Sequence, residues 1–247
     1  MLISVADLSA RFAVKANGVL HVGAHDAEEA GDYRRHHWGP VIWVEMLPDK
    51  AAALRRNFKD DPDNLVIEAA CWDHNGENID LFRADNGQSS SLLPPGSHLT
   101  AHPGVAFSAG GEIRTSRLDT ILPPSARFDF INVDIQGAEL RALTGLGDWL
   151  DRITWAYLEV NRQELYRGCA LLPDIDKFMA ARGFVRLILR MTAHGWGDAL
   201  YVNRRKVAGA ALLRLRGKAF VYNFFHNAGA AARRVASRLN RLFRSRS

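Results

Sequence analysis

The sequence has few cysteines and no long apolar run, and both absences narrow the class of protein. Its 247 residues include two cysteines, Cys71 and Cys169, which lie far apart and form no C-x-x-C pair. This pattern favours buried, reduced thiols over a disulfide framework. No apolar stretch approaches the roughly 18 residues that a membrane-spanning helix needs. Asp7 interrupts the first residues before a signal peptide can form, so we expect a cytoplasmic protein.

Acidic residues are missing from the C-terminal part of the chain. From Arg204 onward there are 12 Lys and Arg and no Asp or Glu, which leaves 20 basic residues against 27 acidic ones in the rest. The two parts therefore differ in charge and, we expect, in role. We predict an α/β domain over residues 1–203 and a basic amphipathic helical tail over residues 204–247.

Two segments of the tail, Val207–Phe225 and Arg233–Phe243, have helical patterns. Basic amphipathic helices bind anionic lipid, which would place the protein peripherally at the inner face of the membrane. A helix that packs on the domain, or on a second copy in a homodimer, explains the tail equally well. Nucleic acid is the least favoured partner because the chain has no recognisable nucleic-acid-binding module.

Apolar runs of strand length alternate with segments of helical period from Val19 to Asn203, which predicts a mostly parallel sheet flanked by helices. The predicted strands are Val19–Val22, Val41–Val44, Leu65–Trp72, Ile79–Phe82, Phe128–Ile135, Ile153–Val160, Phe184–Leu189 and Ala199–Val202. The predicted helices are Asp26–His37, Pro48–Phe58, Ala138–Leu146 and Pro173–Arg182. The stretch Asn86–Gly111 is predicted as a long functional loop, because such loops in compact domains are lids or binding loops.

Small or acidic residues lie at the carboxyl ends of several predicted strands. In open α/β sheets, ligands bind beyond the carboxyl ends of the strands, where these residues meet. We therefore predict one binding site at this edge of the sheet. Its candidate residues are Gly23, Ala24, His25, Glu45, Asp73, Asp134, Gln136 and Glu159.

Gly23 and Glu45 suggest what this site binds. Gly23 lets the backbone pass close to a ligand, and Glu45 is placed to accept the hydroxyls of a ribose. A plain turn and a solvated carboxylate are the alternative. No G-x-x-x-x-G-K-[ST] segment is present, and His25, Ala27 and Glu28 stand where a dinucleotide fingerprint would need further glycines. A cationic cofactor without phosphates, such as S-adenosylmethionine, suits the acidic rim better than a nicotinamide dinucleotide.

Several segments together resemble the FkbM methyltransferase family over roughly Val19 to Asn203. They are Val22–His25, Val44–Glu45, Ser89–Leu92, Arg117–Asp119, Ile131–Leu140 and Trp196–Tyr201. The resemblance implies a Rossmann-like class I methyltransferase fold, S-adenosylmethionine as donor, and oxygen methylation of a sugar, glycan or related metabolite. His21 departs from the family pattern, in which Asp is more frequent. A degenerate member that serves as a binding or assembly module therefore stays the alternative.

The resemblance also implies roles for the candidate residues. Gly23, Ala24 and His25 would line the methionine side of the cofactor, Glu45 would bind its ribose, and Asp73 would lie near its adenine. Each of these residues also has a structural interpretation as part of a turn or cap.

An alcohol acceptor needs a general base during methyl transfer. Asp134 is the first candidate and Glu159 the second, and either residue would otherwise orient the acceptor or the cofactor ammonium. Gln136 is predicted to lie in a turn beside the acceptor. Ser90, with its serine neighbours, would bind an acceptor hydroxyl or simply belong to a flexible loop.

Other polar residues receive structural interpretations. Glu139 is assigned to the favourable electrostatics of a helix start. His98 and His102 lie four residues apart, but Pro103 and nearby glycines argue against a helix that presents both. We predict no metal site, and a divalent ion shared by Asp134 and Glu159 is a weaker alternative.

Overall fold

A computed structural model describes residues 1–224. Ten strands occur in this part of the chain: Val19–Val22 (β1), Val41–Glu45 (β2), Asn64–Glu68 (β3), Ala70–Cys71 (β4), Asn78–Ala84 (β5), Phe107–Ser116 (β6), Phe130–Val133 (β7), Trp155–Asn161 (β8), Phe184–Met191 (β9) and Trp196–Asn203 (β10). The helices are Val5–Phe12 (α1), Ala30–Arg35 (α2), Pro48–Asn57 (α3), His98–Ala101 (α4), Leu118–Ile121 (α5), Glu139–Gly145 (α6), Leu172–Ala181 (α7) and residues 209–224 (α8). A 3₁₀ helix, Gly147–Arg152, follows α6.

Seven strands form the main sheet, in the order β3-β2-β1-β7-β8-β10-β9. The neighbours from β3 to β8 are parallel, and β10 is antiparallel to both β8 and β9. Every residue of β1, β2, β7 and β8 is buried, as expected for parallel strands covered on both faces. The predicted α/β architecture, a mostly parallel sheet flanked by helices, is confirmed.

The register of the central strands brings their carboxyl ends together. Val22 of β1 lies beside Val44 of β2 on one side and Val133 of β7 on the other. Gly23, Glu45 and Asp134 therefore meet at one edge of the sheet. The apolar runs end at that edge, so the polar residues that follow them lie around a common space.

Two apolar clusters cover the two faces of the sheet. One joins the strands to α5, α6, the 3₁₀ helix and α7, and the other joins them to α1, α2, α3 and α8. The sequence explains several helix ends. Ser4 caps α1 because its hydroxyl accepts the N–H of Asp7 at 3.1 Å. Pro48 starts α3, and Gly183, with a φ of +90°, follows α7.

Two predicted elements near the site begin or end at other residues than predicted. The predicted strand Leu65–Trp72 is interrupted, because β3 ends at Glu68 and β4 joins a second sheet in the order β4-β6-β5. The helix predicted from Asp26 begins only at Ala30. His25 and Ala27 have φ angles of +46° and +54°, which no right-handed helix accommodates. A loop, rather than a helix start, therefore follows β1.

The predicted loop Asn86–Gly111 contains regular structure that the sequence analysis missed. It includes α4, and β6 begins within it at Phe107. β6 pairs antiparallel with β5, and its central residues are small, with Gly110 packed against Leu81. Some of the turn-forming residues therefore belong to a strand, and the loop is shorter than predicted.

The first tail helix packs on the domain. Leu215 and Ala219 of α8 are buried in the cluster that contains Phe12 of α1 and Ile188 of β9. Asn223 Nδ2 donates to the Leu187 carbonyl at 3.0 Å. The predicted helix Arg233–Phe243 lies outside the described residues, and the division at residues 203 and 204 stays a prediction. Within residues 1–224, no helix has the length and apolar character to cross a membrane.

Candidate active site

The Glu45 carboxylate ties the loop after β1 to the end of β2. Glu45 is buried, and its Oε2 accepts the backbone N–H of His25 at 2.7 Å. Its Oε1 accepts the N–H of Leu47 at 2.8 Å. Burial raises the pKa of Glu45, and these N–H donors oppose the rise. Each carboxylate oxygen has a further acceptor position, so a fixed Glu45 can still accept the hydroxyls of a ligand.

Gly23 allows β1 and β7 to approach each other closely at their ends. Its φ is +90°, and a Cβ atom there would lie 1.9 Å from the carbonyl oxygen of Asp134. Its N–H and that of Ala24 donate to the Val44 carbonyl at 2.9 and 3.1 Å. Ala24 is buried beneath the loop and does not line a cleft. A larger residue than glycine at position 23 would displace the chain that carries Asp134.

A first cleft lies at the ends of β1 and β2 and holds about 500 Å³ of empty space. We define it by Gly23, His25, Glu45, Asp134 and Gln136. Its other walls are mainly apolar and include Val44, Met46, Leu47, Ala69, Cys71 and Leu92. A cleft with apolar walls and a few placed polar groups is typical of a small-molecule site.

Asp73 and Ser90 lie at different places around the first cleft. Asp73 does not line the first cleft, and its carboxylate instead accepts Arg141 Nη1 at 2.8 Å and lies 2.6 Å from His74 Nδ1. Ser90, proposed for the acceptor, lines the first cleft, and its hydroxyl accepts the N–H of Ala84 at 3.1 Å.

Asp134 and Glu159 form a pair that Gln136 bridges. The side-chain Nε2 of Gln136 donates to Asp134 Oδ1 and to Glu159 Oε2, each at 2.7 Å. The Tyr166 hydroxyl lies 2.8 Å from Gln136 Oε1, which fixes the orientation of the amide. Gln136 has a φ of +57°, so the turn after β7 is adapted to point this side chain between the two carboxyl groups.

Burial decides the charge of this pair. Glu159 is buried, and burial followed by the nearby Asp134 raises the pKa of Glu159 well above its usual range. Glu159 therefore favours its protonated form, and Gln136 Nε2 connects the two carboxyl groups. The Asp134 carboxylate is then the member of the pair that can accept a proton. Two carboxyl groups in contact commonly share one proton in this way.

Glu139 lies behind the pair and stabilises the turn that carries it. Its Oε1 accepts the N–H groups of Ile135 and Gly137 at 3.1 and 3.0 Å. The residue is fully buried, and burial raises its pKa to about 7. The geometry agrees with the structural interpretation of Glu139, although the bonds are made to the preceding turn.

A second cleft, of about 1,260 Å³, adjoins the first. We define it by Glu159, His98, His102, Trp196 and Asp198, which all line it. The two clefts share residues at their boundary. These are Gly23, His25, Gln88, Asp134 and Gln136. The carboxylate pair is therefore accessible from the second cleft and lies beside the first.

The prediction that no helix presents both His98 and His102 was wrong. A single helical turn, α4, brings their ring centroids to 4.8 Å, because Pro103 follows the helix rather than interrupting it. The ring of His194 lies 5.0 Å from that of His102. Burial and the neighbouring imidazole lower the pKa of His98 and of His102, so both are neutral and can donate and accept hydrogen bonds.

His21 lines the second cleft and contacts polar partners of its own there. It is buried, its Nδ1 lies 3.2 Å from the Tyr33 hydroxyl, and its ring lies 5.0 Å from that of Trp43. Burial lowers the pKa of His21, so the imidazole is neutral. Asn132 completes this polar group. The histidine at position 21, where Asp is more frequent in the family pattern, thus has local partners at the second cleft.

One set of side chains within residues 1–224 has the spacing of a metal site: His25, Asp26 and Glu28. Asp26 is held by Lys50 Nζ at 2.7 Å, and Glu28 by His25 Nδ1 at 2.9 Å. The two carboxylates therefore have protein partners, whereas the buried Nε2 of His25 has no hydrogen-bond partner among the described residues.

The site also includes three residues that were not predicted for it: Tyr166, Tyr157 and Asp198. Tyr157 donates a short hydrogen bond to Asp198, and burial raises the pKa of Asp198 to about 6. Asp198 follows Trp196 in β10, which is antiparallel to β8, so it lies opposite Glu159. The sequence feature that could have indicated Asp198 is its position as an acidic residue within an apolar strand.

Comparison with known proteins agrees with this geometry. Residues 21–186 match the model of the methyltransferase FkbM domain. The chain is 29% identical over 161 residues to the 2-O-methyltransferase NoeI of Sinorhizobium fredii (strain NBRC 101917 / NGR234). That match covers 61% of this chain and 65% of the relative, so it spans less than two thirds of the relative's length.

Solved structures with similar folds include other methyltransferases. A TehB-like SAM-dependent methyltransferase from Corynebacterium glutamicum matches 82% of this chain and 89% of its own, with 9% identity and a TM-score of 0.43. TrmK of M. capricolum, in complex with S-adenosyl-homocysteine, matches 81% of this chain and 68% of its own, with 7% identity and a TM-score of 0.42.

The family match covers more than half of the chain and includes every residue of the carboxylate pair and of the loop after β1. The strand order and the parallel sheet agree with the fold that this family implies. The chain belongs to the FkbM methyltransferase family and has its Rossmann-like class I methyltransferase fold.

Proposed function

We propose that the protein transfers a methyl group from S-adenosylmethionine to a hydroxyl group of a sugar or glycan. The observation that carries this proposal is the junction of the two clefts at Asp134 and Gln136. A donor in the first cleft and an acceptor in the second would meet beside a carboxylate. Holding two reactants in this arrangement supplies much of the catalysis of a displacement reaction.

The residues of the first cleft fit S-adenosylmethionine. Glu45 offers acceptor positions for the ribose hydroxyls, and Met46 and Leu47 offer an apolar surface for the adenine. Neither cleft is lined by a lysine or arginine among the described residues. That composition suits a cationic donor and disfavours a pyrophosphate. When bound, S-adenosylmethionine supplies an electrophilic methyl group on a sulfonium.

The carboxylate pair supports proton transfer from an alcohol. Glu159 holds its proton, and Gln136 keeps the Asp134 carboxylate oriented at the boundary of the clefts. The acceptor hydroxyl would lose its proton to Asp134 as its oxygen takes the methyl group. A general base of this kind contributes about 10²- to 10⁴-fold to the rate.

The lining of the second cleft supports a hydroxyl-rich acceptor. Neutral His98 and His102, the carboxyl groups of Glu159 and Asp198, and the Trp196 ring surround one space. Such groups form hydrogen bonds with several hydroxyls and cover an apolar sugar face. The relative NoeI is described as a 2-O-methyltransferase, which supports a sugar 2-hydroxyl as the first position to examine.

Calorimetric titration of the full chain with S-adenosylhomocysteine tests the donor site. We expect micromolar binding, about −8 kcal/mol, and a loss of at least about tenfold in Glu45→Gln. Glu68→Gln is the matched control. Glu68 is the residue of β3 beside Glu45 in the sheet, but it is exposed and pairs with Arg55. Equal binding by both variants would contradict the assignment of the first cleft.

Release of S-adenosylhomocysteine from S-adenosylmethionine tests the acceptor. The probes are methyl glycosides with a free 2-hydroxyl, each compared with its 2-deoxy counterpart. We expect turnover with at least one glycoside and none with its 2-deoxy form. Donor binding without turnover on any hydroxylated acceptor would favour the alternative, a degenerate methyltransferase fold that serves as a binding or assembly module.

A further inference from the structure

The helix α8 has one face packed on the domain and another exposed to solvent. Leu215 and Ala219 point inward and are 9% and 3% exposed. Asn223 anchors the same face, because its Nδ2 donates to the Leu187 carbonyl. The helix therefore lies along the surface of the domain, and its axis runs parallel to that surface.

The outer face of α8 is apolar. Leu213 and Phe220 are each 72% exposed, and Val221 is 52% exposed. Leu213 and Phe220 are seven residues apart, so they share one face of the helix two turns apart, and Val221 extends that face. Gly217 lies between them. Large exposed apolar side chains grouped on one helix face mark an interaction surface rather than ordinary surface composition.

Basic residues border this apolar face on both sides. At 100° per residue, Arg216 lies along one edge of the stripe, and Arg214 and Lys218 lie along the other. All three are exposed. The chain from Arg204 onward contains no acidic residue, and six further arginines follow between Arg233 and Arg246. An apolar stripe between basic borders is the pattern of helices that lie in the lipid headgroup region.

We propose that the outer face of α8 is a docking surface for an anionic lipid bilayer. Leu213, Phe220 and Val221 enter the boundary between headgroups and acyl chains, and the basic borders contact lipid phosphates. The inner face stays on the domain, so binding needs no unfolding of the protein. This inference is independent of the methyl transfer proposed above.

The same charges disfavour a second copy of the chain as the occupant. Two α8 helices packed face to face across a two-fold axis would bring Arg214, Arg216 and Lys218 of one copy close to the same basic residues of the other. Like charges at such an interface are repulsive. The surface of an anionic membrane instead attracts basic residues, and this attraction falls with salt concentration.

The test is co-sedimentation of the full chain with vesicles of phosphatidylcholine and phosphatidylglycerol at a ratio of 3:1. The variant is Leu213→Gln/Phe220→Gln/Val221→Gln, which keeps good helix formers at exposed positions. The matched control, Leu65→Gln/Leu99→Gln, removes two apolar side chains that are 43% and 48% exposed elsewhere. We expect the triple variant to bind at least about tenfold more weakly and the control to bind within about twofold of the unmodified protein.

Three further results bear on the proposal. Weaker binding in 0.5 M salt and to pure phosphatidylcholine would support the role of the basic borders. Equal sedimentation of the triple variant and the unmodified protein would overturn the proposal. So would a size-exclusion result in which the unmodified chain is a dimer, the triple variant is a monomer and neither binds vesicles, since the surface would then join two copies. Unchanged melting temperatures would show that the variants are folded.

Discussion

The two clefts that meet at Asp134 are constructed differently. The first depends on backbone geometry at the ends of adjacent parallel strands, with Gly23 as the close contact and Glu45 as the tie between loops. The second is assembled from side chains of α4, β8 and β10, which are far apart in sequence. The first has mainly apolar walls with the carboxyl groups of Glu45 and Asp134. The second is lined by more titratable groups, which include His98, His102, Glu159 and Asp198.

This difference fits the two roles that we propose for the clefts. A cleft formed by the backbone of a common fold suits a donor that many enzymes share. A cleft formed by side chains from distant segments can vary without loss of the fold, and it suits the acceptor, which differs between enzymes. Substitutions in the two clefts should therefore change different measured quantities, and the following predictions test this.

The largest effect is expected at the boundary. Asp134→Asn removes the proton acceptor, so kcat should fall by about 10²- to 10⁴-fold while S-adenosylhomocysteine binding stays within about threefold. Glu159→Gln should cost less than about tenfold in kcat, because glutamine resembles the protonated Glu159 that the structure favours. The measurement is steady-state turnover with the active glycoside, together with calorimetric titration of both variants.

A similar loss in the two variants would contradict the assignment of the proton to Glu159. A loss of donor binding in Asp134→Asn, equal to its loss of turnover, would show that Asp134 acts as a cofactor ligand instead. Either result would change the division between the two clefts.

An intermediate effect is expected in the dependence of stability on pH. Burial raises the pKa of Glu139 from 4.5 to about 7, so its protonated form stabilises the folded state. This contribution is fully present below pH 4.5 and is lost as pH rises to about 7. Glu139→Gln keeps an acceptor for Ile135 and Gly137 but removes the titration. From pH 4.5 to 8, the unmodified protein should lose about 2 to 3 kcal/mol more stability than the variant.

Urea unfolding at several pH values measures this difference. Subtracting the two curves removes the contributions of groups that titrate in both and are not coupled to Glu139, such as Asp198. Parallel stability curves for the two proteins would show that Glu139 does not have the raised pKa.

The smallest effect is expected at Asp73. The resemblance to the family assigned it to the adenine, but its carboxylate contacts Arg141 and His74 outside the first cleft. Asp73→Asn should change the dissociation constant of S-adenosylhomocysteine by less than about twofold, in the same titration that tests Glu45→Gln. A loss near tenfold would restore the sequence-based role and place the adenine closer to β4.

The sequence indicated the residues of the first cleft more fully than those of the second, because the first cleft follows from local patterns. Gly23, Glu45 and Asp134 each follow an apolar run, and parallel strands bring such positions to one edge in any register that buries the runs. The sheet and most helices were predictable for the same reason. The loop after β1 was not, because the left-handed φ angles of His25 and Ala27 leave no signal in residue type.

The second cleft could not be derived from local patterns. His98 and His102 lie in a segment rich in turn residues, and only the fold places α4 beside Glu159 and Trp196. The bridge that Gln136 makes depends on its positive φ, which is uncommon for glutamine. The packing of α8 depends on a match between its inner face and the edge of the sheet, whereas its charge and helical period were evident from the sequence.

The most direct test of the two-cleft account is a crystal structure of the full chain with S-adenosylhomocysteine and the active methyl glycoside. The account predicts ribose hydroxyls on the Glu45 carboxylate, the sulfur facing the boundary at Asp134, and a glycoside hydroxyl within hydrogen-bond reach of Asp134. Donor density in the second cleft, or a glycoside whose hydroxyls contact neither Asp134 nor Glu159, would contradict it.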